Sequence, residues 1–277
     1  MKRPNIDNQR DFDWGKTSKD YGKFRPGYPE SFFDIFASLG VGREGQRILD
    51  LGTGTGVLAR AFARRGAEVT GVDIAENQIE EAKRLAAEDG LSVEFTVCPT
   101  EEIDFPDATF DAVTAGQSWL YFDQPVVILK VLSTMQEEGY LALTHFSWLP
   151  FKDEIARRSE ELVLKHNPNW NGAGYRGTIP AVMPFSEDHF DLKTFHLIEE
   201  PIPFTRESWR GRFRACRGIG ASLSSELVER FDSKHEKLLR KTTSETFTVL
   251  HQMSIHVFMR KGMIVSPPVT DGHEAVI

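Results

Sequence analysis

Between residues 47 and 146 the sequence repeatedly changes its hydrophobic period, and this restricts the fold more than any other feature. Short apolar runs at 47–51 (RILDL), 67–73 (AEVTGVD), 92–97 (SVEFTV), 110–115 and 139–146 read as buried strands. Stretches with apolar residues three and four apart lie between them. One spans 57–65 and stops at Gly66. A second spans 75–88, carries Ile79, Ala82, Leu85 and Ala86 on one face and ends at Gly90, and a third lies near 124–136. Strand and helix in alternation imply a parallel sheet covered on both faces. Right-handed crossovers then bring the loops after the strands to one edge, where such sheets bind ligands.

The flanks extend this α/β, Rossmann-like plan. Residues 1–27 are polar with scattered aromatics (Phe12, Trp14, Tyr21, Phe24) and read as an arm that packs onto the body. Pro29 opens a helix with Phe32, Phe33, Ile35, Phe36 and Leu39 inward, closed by Gly40. After 146 the rhythm breaks into a helix at 152–166 and an irregular Pro- and Gly-containing stretch. This is the expected cap insertion over the ligand edge. A run at 196–204, two helical stretches and a run at 246–261 resume the pattern. The expected division is one domain: arm and helix 1–43, cofactor core 44–146, cap 147–190, remainder of the core 191–262 and a flexible tail 263–277.

Charge and composition narrow the partners. Against 33 Lys and Arg stand 41 Asp and Glu, a net charge of −8, so no broad positive field draws nucleic acid or an anionic membrane. Two cysteines, Cys98 and Cys216, make no disulfide framework, and the eight histidines are scattered, so no metal site is expected. The first residues lack the apolar core of a signal peptide and no apolar run is long enough to span a bilayer, which makes the cytoplasm the expected location.

The chemistry concentrates in Asp50-Leu51-Gly52-Thr53-Gly54-Thr55-Gly56, between the first strand and its helix. Glycines there allow a sharp turn and close approach of a ligand to main chain. Dinucleotide enzymes place G-x-G-x-x-G at the same point, but here Val57 stands where that pattern wants Gly or Ala. Asp50 before the turn would repel a pyrophosphate and suits an ammonium group instead. Asp73, closing the second strand, lies at the distance where a carboxylate meets the two ribose hydroxyls. A carboxylate at that point also suits capping of the helix that starts near Ala75.

These residues, with GVDIA, Thr100 to Asp107 and Phe110-Asp111-Ala112-Val113, resemble class I S-adenosylmethionine-dependent methyltransferases in order and spacing over 44–145. The resemblance implies a seven-stranded, mostly parallel sheet with one antiparallel strand, at the 246–261 run. It implies that Gly52, Thr53, Gly54 and Gly56 line the methionine part of S-adenosylmethionine, while Asp73 and Ile74 hold ribose and adenine. Gln78 joins that set, Thr100 and Glu101 border adenine, and Gln117 lies near the methionine part. One departure is Pro99, where the family often has an Asp for the adenine amino group. The arm text Tyr21-Gly22-Lys23-Phe24-Arg25-Pro26-Gly27-Tyr28-Pro29 and the stretch Gln117 to Asp123 are similar to the trans-aconitate methyltransferase-like small-molecule subgroup. There Tyr21 and Arg25 approach the methionine end; an arm that only covers a sheet edge is the competing reading.

A sulfonium methyl is already activated, so such an enzyme mainly aligns its acceptor and excludes water. Where a base is needed, His145 after the fifth strand and Tyr175 are the candidates. For the acceptor site the candidates are Trp119, Arg176, Arg210 and Arg214; the last two share a helical face and suit an anion clamp for an acidic metabolite, or else a solvated face. The leading function is methyl transfer from S-adenosylmethionine to a small-molecule acceptor. A non-catalytic scaffold that binds the same cofactor, and a nucleic-acid methyltransferase, are the alternatives.

Overall fold

A computed structural model describes residues 6–262; the first five residues of the arm and the expected tail at 263–277 lie outside the described residues. Seven strands form one sheet: β1 (Arg47–Leu51), β2 (Glu68–Asp73), β3 (Glu94–Val97), β4 (Phe110–Gly116), β5 (Met135–Trp148), β6 (Phe190–Thr205) and β7 (Thr246–Arg260). Their order is β3-β2-β1-β4-β5-β7-β6. β1 to β5 pair in parallel, and β7 runs antiparallel to both its neighbours. The 246–261 run therefore occupies the reversed position that the resemblance implies for it.

Among the described residues eight α-helices cover the faces: α1 (Ser18–Phe24), α2 (Glu30–Ser38), α3 (Val57–Arg64), α4 (Glu76–Glu88), α5 (Gln124–Thr134), α6 (Glu154–His166), α7 (Arg206–Arg214) and α8 (Ser225–Thr242). Alternate residues of β1 explain why both faces need cover. Ile48 packs with Phe36 and Phe62 on one side, and Leu49 with Val127 and Val131 on the other. Strand β7 is buried from His251 to Met259 without a break, as befits a strand between two others with helices on both sides.

Within the arm, residues 18–24 form α1, which packs on α4 and α7. The expected cap contains α6, but that helix packs beside α8 as part of the body. Only a short part of the loop after α6, at Trp170 and Gly172, reaches the ligand edge.

Candidate functional site

The strand order reverses between β1 and β4, and the loops leaving both strands open a crevice there. The turn after β1 depends on two glycines for different reasons. At Gly56 (φ +75°) a Cβ would sit 2.8 Å from the Phe95 ring, so bulk is excluded outright. At Gly54 (φ +56°) the nearest side-chain atoms are 3.8 Å away or more; there the left-handed backbone is what favours glycine, and the main chain stays open to the crevice.

Beneath the turn, Asp50 accepts from the hydroxyls of Thr53 at 2.6 Å and Thr114 at 2.7 Å. Burial pushes its carboxyl up to about 6 despite both bonds. Asp50 and Thr53 border a small cleft shared with Tyr21, Arg25 and Tyr28.

Asp73 ends β2 opposite the turn. Its Oδ2 accepts from the Gly54 amide at 2.9 Å and its Oδ1 from the Ala75 amide at 2.8 Å. Burial raises its pKa, and the two amides pull it back toward the charged form. Next to it Ile74 is an aliphatic side chain left 51% exposed, on the wall of a cavity of about 310 Å³. Thr100 and Glu101 follow β3 on the same wall, and Glu101 accepts from the Asp123 amide at 2.8 Å. Gln78 reaches from α4 to the Trp14 carbonyl at 2.9 Å, tying the arm down over this end. Gln117, at φ +60°, leaves β4 with its side-chain amide bonded to the Phe146 carbonyl.

The far end of the cavity has different walls. Trp148 and Trp170 are aromatic and buried, and Arg25, Arg212 and Arg217 bring three cations. Arg25 lies over the Tyr21 ring at 4.7 Å, and Arg217 pairs with Asp7 at 3.0 Å. His145 also faces the cavity. Burial, then the charges of Arg25 and His256, bring its pKa down to about 4, and its Nε2 has no partner among the described residues.

Four acceptor-site candidates and one base candidate are placed elsewhere. Arg210 is closed by Asp232, Glu207 and Glu236, and Arg214 by Asp20, Asp232 and Glu207, so neither faces the cavity as an anion clamp. Arg176 is exposed and stacks on Phe151. Trp119 is buried against Phe185 in the core on the far side of the sheet. Tyr175 lies against the His145 ring but donates its hydroxyl to Gln252 at 2.6 Å, outside the cavity wall.

Sequence reasoning missed Arg212, Tyr121 and Cys216, which the cavity uses. For Arg212 a signal was available. Trp209, Arg212, Phe213 and Cys216 fall at helical spacing on one face, so Arg212 is the cation within an apolar stripe.

Residues 48–139 match the family model described as a methyltransferase domain. The ubiquinone biosynthesis O-methyltransferase of Chromobacterium violaceum is 33% identical over 110 residues, which is 39% of this chain and 45% of that protein. The ubiquinone biosynthesis O-methyltransferase of Methylocella silvestris is 49% identical over 72 residues, 26% and 28% of the two chains. The chain thus spans less than half the length of these relatives. Among solved structures, the YcgJ protein of Bacillus subtilis shares the fold at a TM-score of 0.52 and 20% identity, covering 84% of this chain and all of that one.

Proposed function

We propose that the chain, working as one domain, binds S-adenosylmethionine in this cavity and transfers its methyl group to a small-molecule acceptor. The observation that carries the reading is the rim where Asp73, the open main chain at Gly54 and the exposed Ile74 adjoin. Asp73 has lone pairs left after its two amide bonds and can accept from a ribose diol. Ile74 and Pro99 offer apolar contact to a flat base, and Thr100 and Glu101 border it. The cleft of Arg25, Tyr21 and Asp50 suits the charged amino acid end: Arg25 for a carboxylate, Asp50 for an ammonium. The methyltransferase-domain match over 48–139 supports the same assignment.

Bound there, the cofactor supplies a methyl carbon already activated by a positive sulfur. The protein supplies position and dryness. Arm residues Trp14 and Tyr21 cover the cavity from one side, and Trp148 and Trp170 wall it on the other. His145 enters the reaction neutral and takes the acceptor's proton on the ring that lines the cavity. The loop at 170–172 acts as the cap, and the arm text supports the trans-aconitate methyltransferase-like subgroup.

Calorimetric titration with S-adenosylmethionine, S-adenosylhomocysteine and NAD tests the reading. Binding of the two adenosyl compounds, with labelled methyl appearing in a metabolite pool, is expected. Binding of NAD alone would overturn it.

A further inference from the structure

We propose that the methyl acceptor carries a carboxylate, and that Arg212 receives it. This rests on the cofactor assignment above, and the observations behind it are separate. Arg212 is 8% exposed, lines the cavity and stacks on Trp148 with its guanidinium 4.8 Å from the ring centroid. It has no hydrogen-bond or ion-pair acceptor among the described residues, whereas Arg210 and Arg214, two positions away on either side, are each closed by three carboxylates. Acids are thus plentiful on the outer face of α7 and withheld from the inner one. A buried guanidinium left without an anion is unfavourable, and an anionic ligand relieves it.

The other charges of the cavity are bonded within the protein or, for Arg25, assigned to the cofactor. Asp73 and Glu101 stand at the opposite end and accept from backbone amides. Arg217 is paired with Asp7. Arg25 borders the small cleft with Asp50 and Tyr28, which takes the amino acid end of the cofactor; Arg212 borders only the main cavity. With Arg25 assigned to the cofactor, Arg212 beside Trp148, Trp170 and Tyr121 fits one negative charge on an apolar body. The planar fork of arginine matches the two oxygens of a carboxylate. Burial and the neighbouring Arg25 pull the Arg212 pKa down to about 10, which leaves the side chain charged at neutral pH.

The test uses the full chain saturated with S-adenosylhomocysteine and titrates it with benzoate, phenylacetate and hexanoate, each against its amide, and with phenyl phosphate. Wild type should prefer at least one acid over its amide by about ten- to a hundredfold. Arg212→Gln and Arg212→Met should erase that preference, and Arg212→Lys should keep part of it. Affinity for S-adenosylhomocysteine should change by less than about threefold in the three variants, which also reports that they fold. Equal binding of acid and amide by wild type overturns the proposal, as does an undiminished acid preference in Arg212→Gln. Loss of S-adenosylhomocysteine affinity in the variants overturns it too, by assigning Arg212 to the cofactor. Stronger binding of phenyl phosphate than of every acid overturns the carboxylate class. A wild type that fails to bind S-adenosylhomocysteine refutes the cofactor reading itself.

Discussion

Asp73 and Gly54 face each other across the first two loops of the sheet, with the Asp73 carboxylate accepting from the Gly54 amide at 2.9 Å. The bond fixes the glycine turn against the residue that would hold ribose, so one side chain serves both the shape and the chemistry of the rim. Asp73→Ala should weaken S-adenosylhomocysteine binding about ten- to a hundredfold, the range of a charged hydrogen bond worth roughly 1.5–3 kcal/mol. Asp73→Asn keeps one acceptor oxygen and should fall between. Calorimetry reads both, and unaltered affinity in Asp73→Ala would remove the ribose role.

His145 separates rate from binding. Its ring faces the cavity and it is neutral down to about pH 4. His145→Ala should lower kcat by about a hundredfold or more, the scale of a positioned proton acceptor, with cofactor affinity unchanged. The acid limb of the wild-type kcat profile should fall near pH 4, well below the ordinary histidine value of 6.5. A limb centred at 6.5, or a variant with full turnover, would assign the proton elsewhere.

How far this site is legible in the sequence depends on the range of the contacts that build it. The turn from Asp50 to Gly56 and the Asp73 at the end of β2 could be read because each is fixed by its own strand and loop. Periodicity likewise places β1 to β5, since each centres on a single apolar run. Arg210 and Arg214 show the limit. Their spacing along α7 was right, but Asp20 comes from the arm and Asp232 from α8, far off in the sequence, and these close the charges. Trp119 and Tyr175 failed for the same reason. Their partners Phe185 and Gln252 belong to chain segments brought alongside only by the complete sheet.

Histidine His235 offers a test of the interior. It is buried between Phe213 and Phe231, with Nε2 3.0 Å from the Ser159 hydroxyl, and burial brings its pKa down to about 3. The unfolded chain takes up a proton there near pH 6.5 and the native one does not until about pH 3. Wild type therefore loses stability from this group as pH falls through that window. His235→Gln has no such proton to take up. It should be less stable than wild type at pH 7, and the gap should close by about 3 kcal/mol on going to pH 4. Urea unfolding at the two pH values measures it; a constant gap would mean that His235 is protonated in the fold.

Gly211 tests whether the arm belongs to the site. It lies in the middle of α7, where a Cβ would come within 2.1 Å of the Phe24 ring at the end of α1. That ring is also the seat of the Arg214 guanidinium, 5.2 Å from its centroid, so it cannot simply turn aside without disturbing the arm. Alanine suits a helix better than glycine by roughly 0.5–1 kcal/mol, which would stabilise α7 taken alone. In Gly211→Ala the clash should win and lift α1, which carries Tyr21 and leads directly into Arg25. Affinity for S-adenosylhomocysteine should drop about tenfold or more while the helix content is kept, because α7 itself remains sound. If instead the variant melts higher and binds the cofactor as wild type does, α1 is only packed on the surface, and Tyr21 and Arg25 have no share in holding the cofactor.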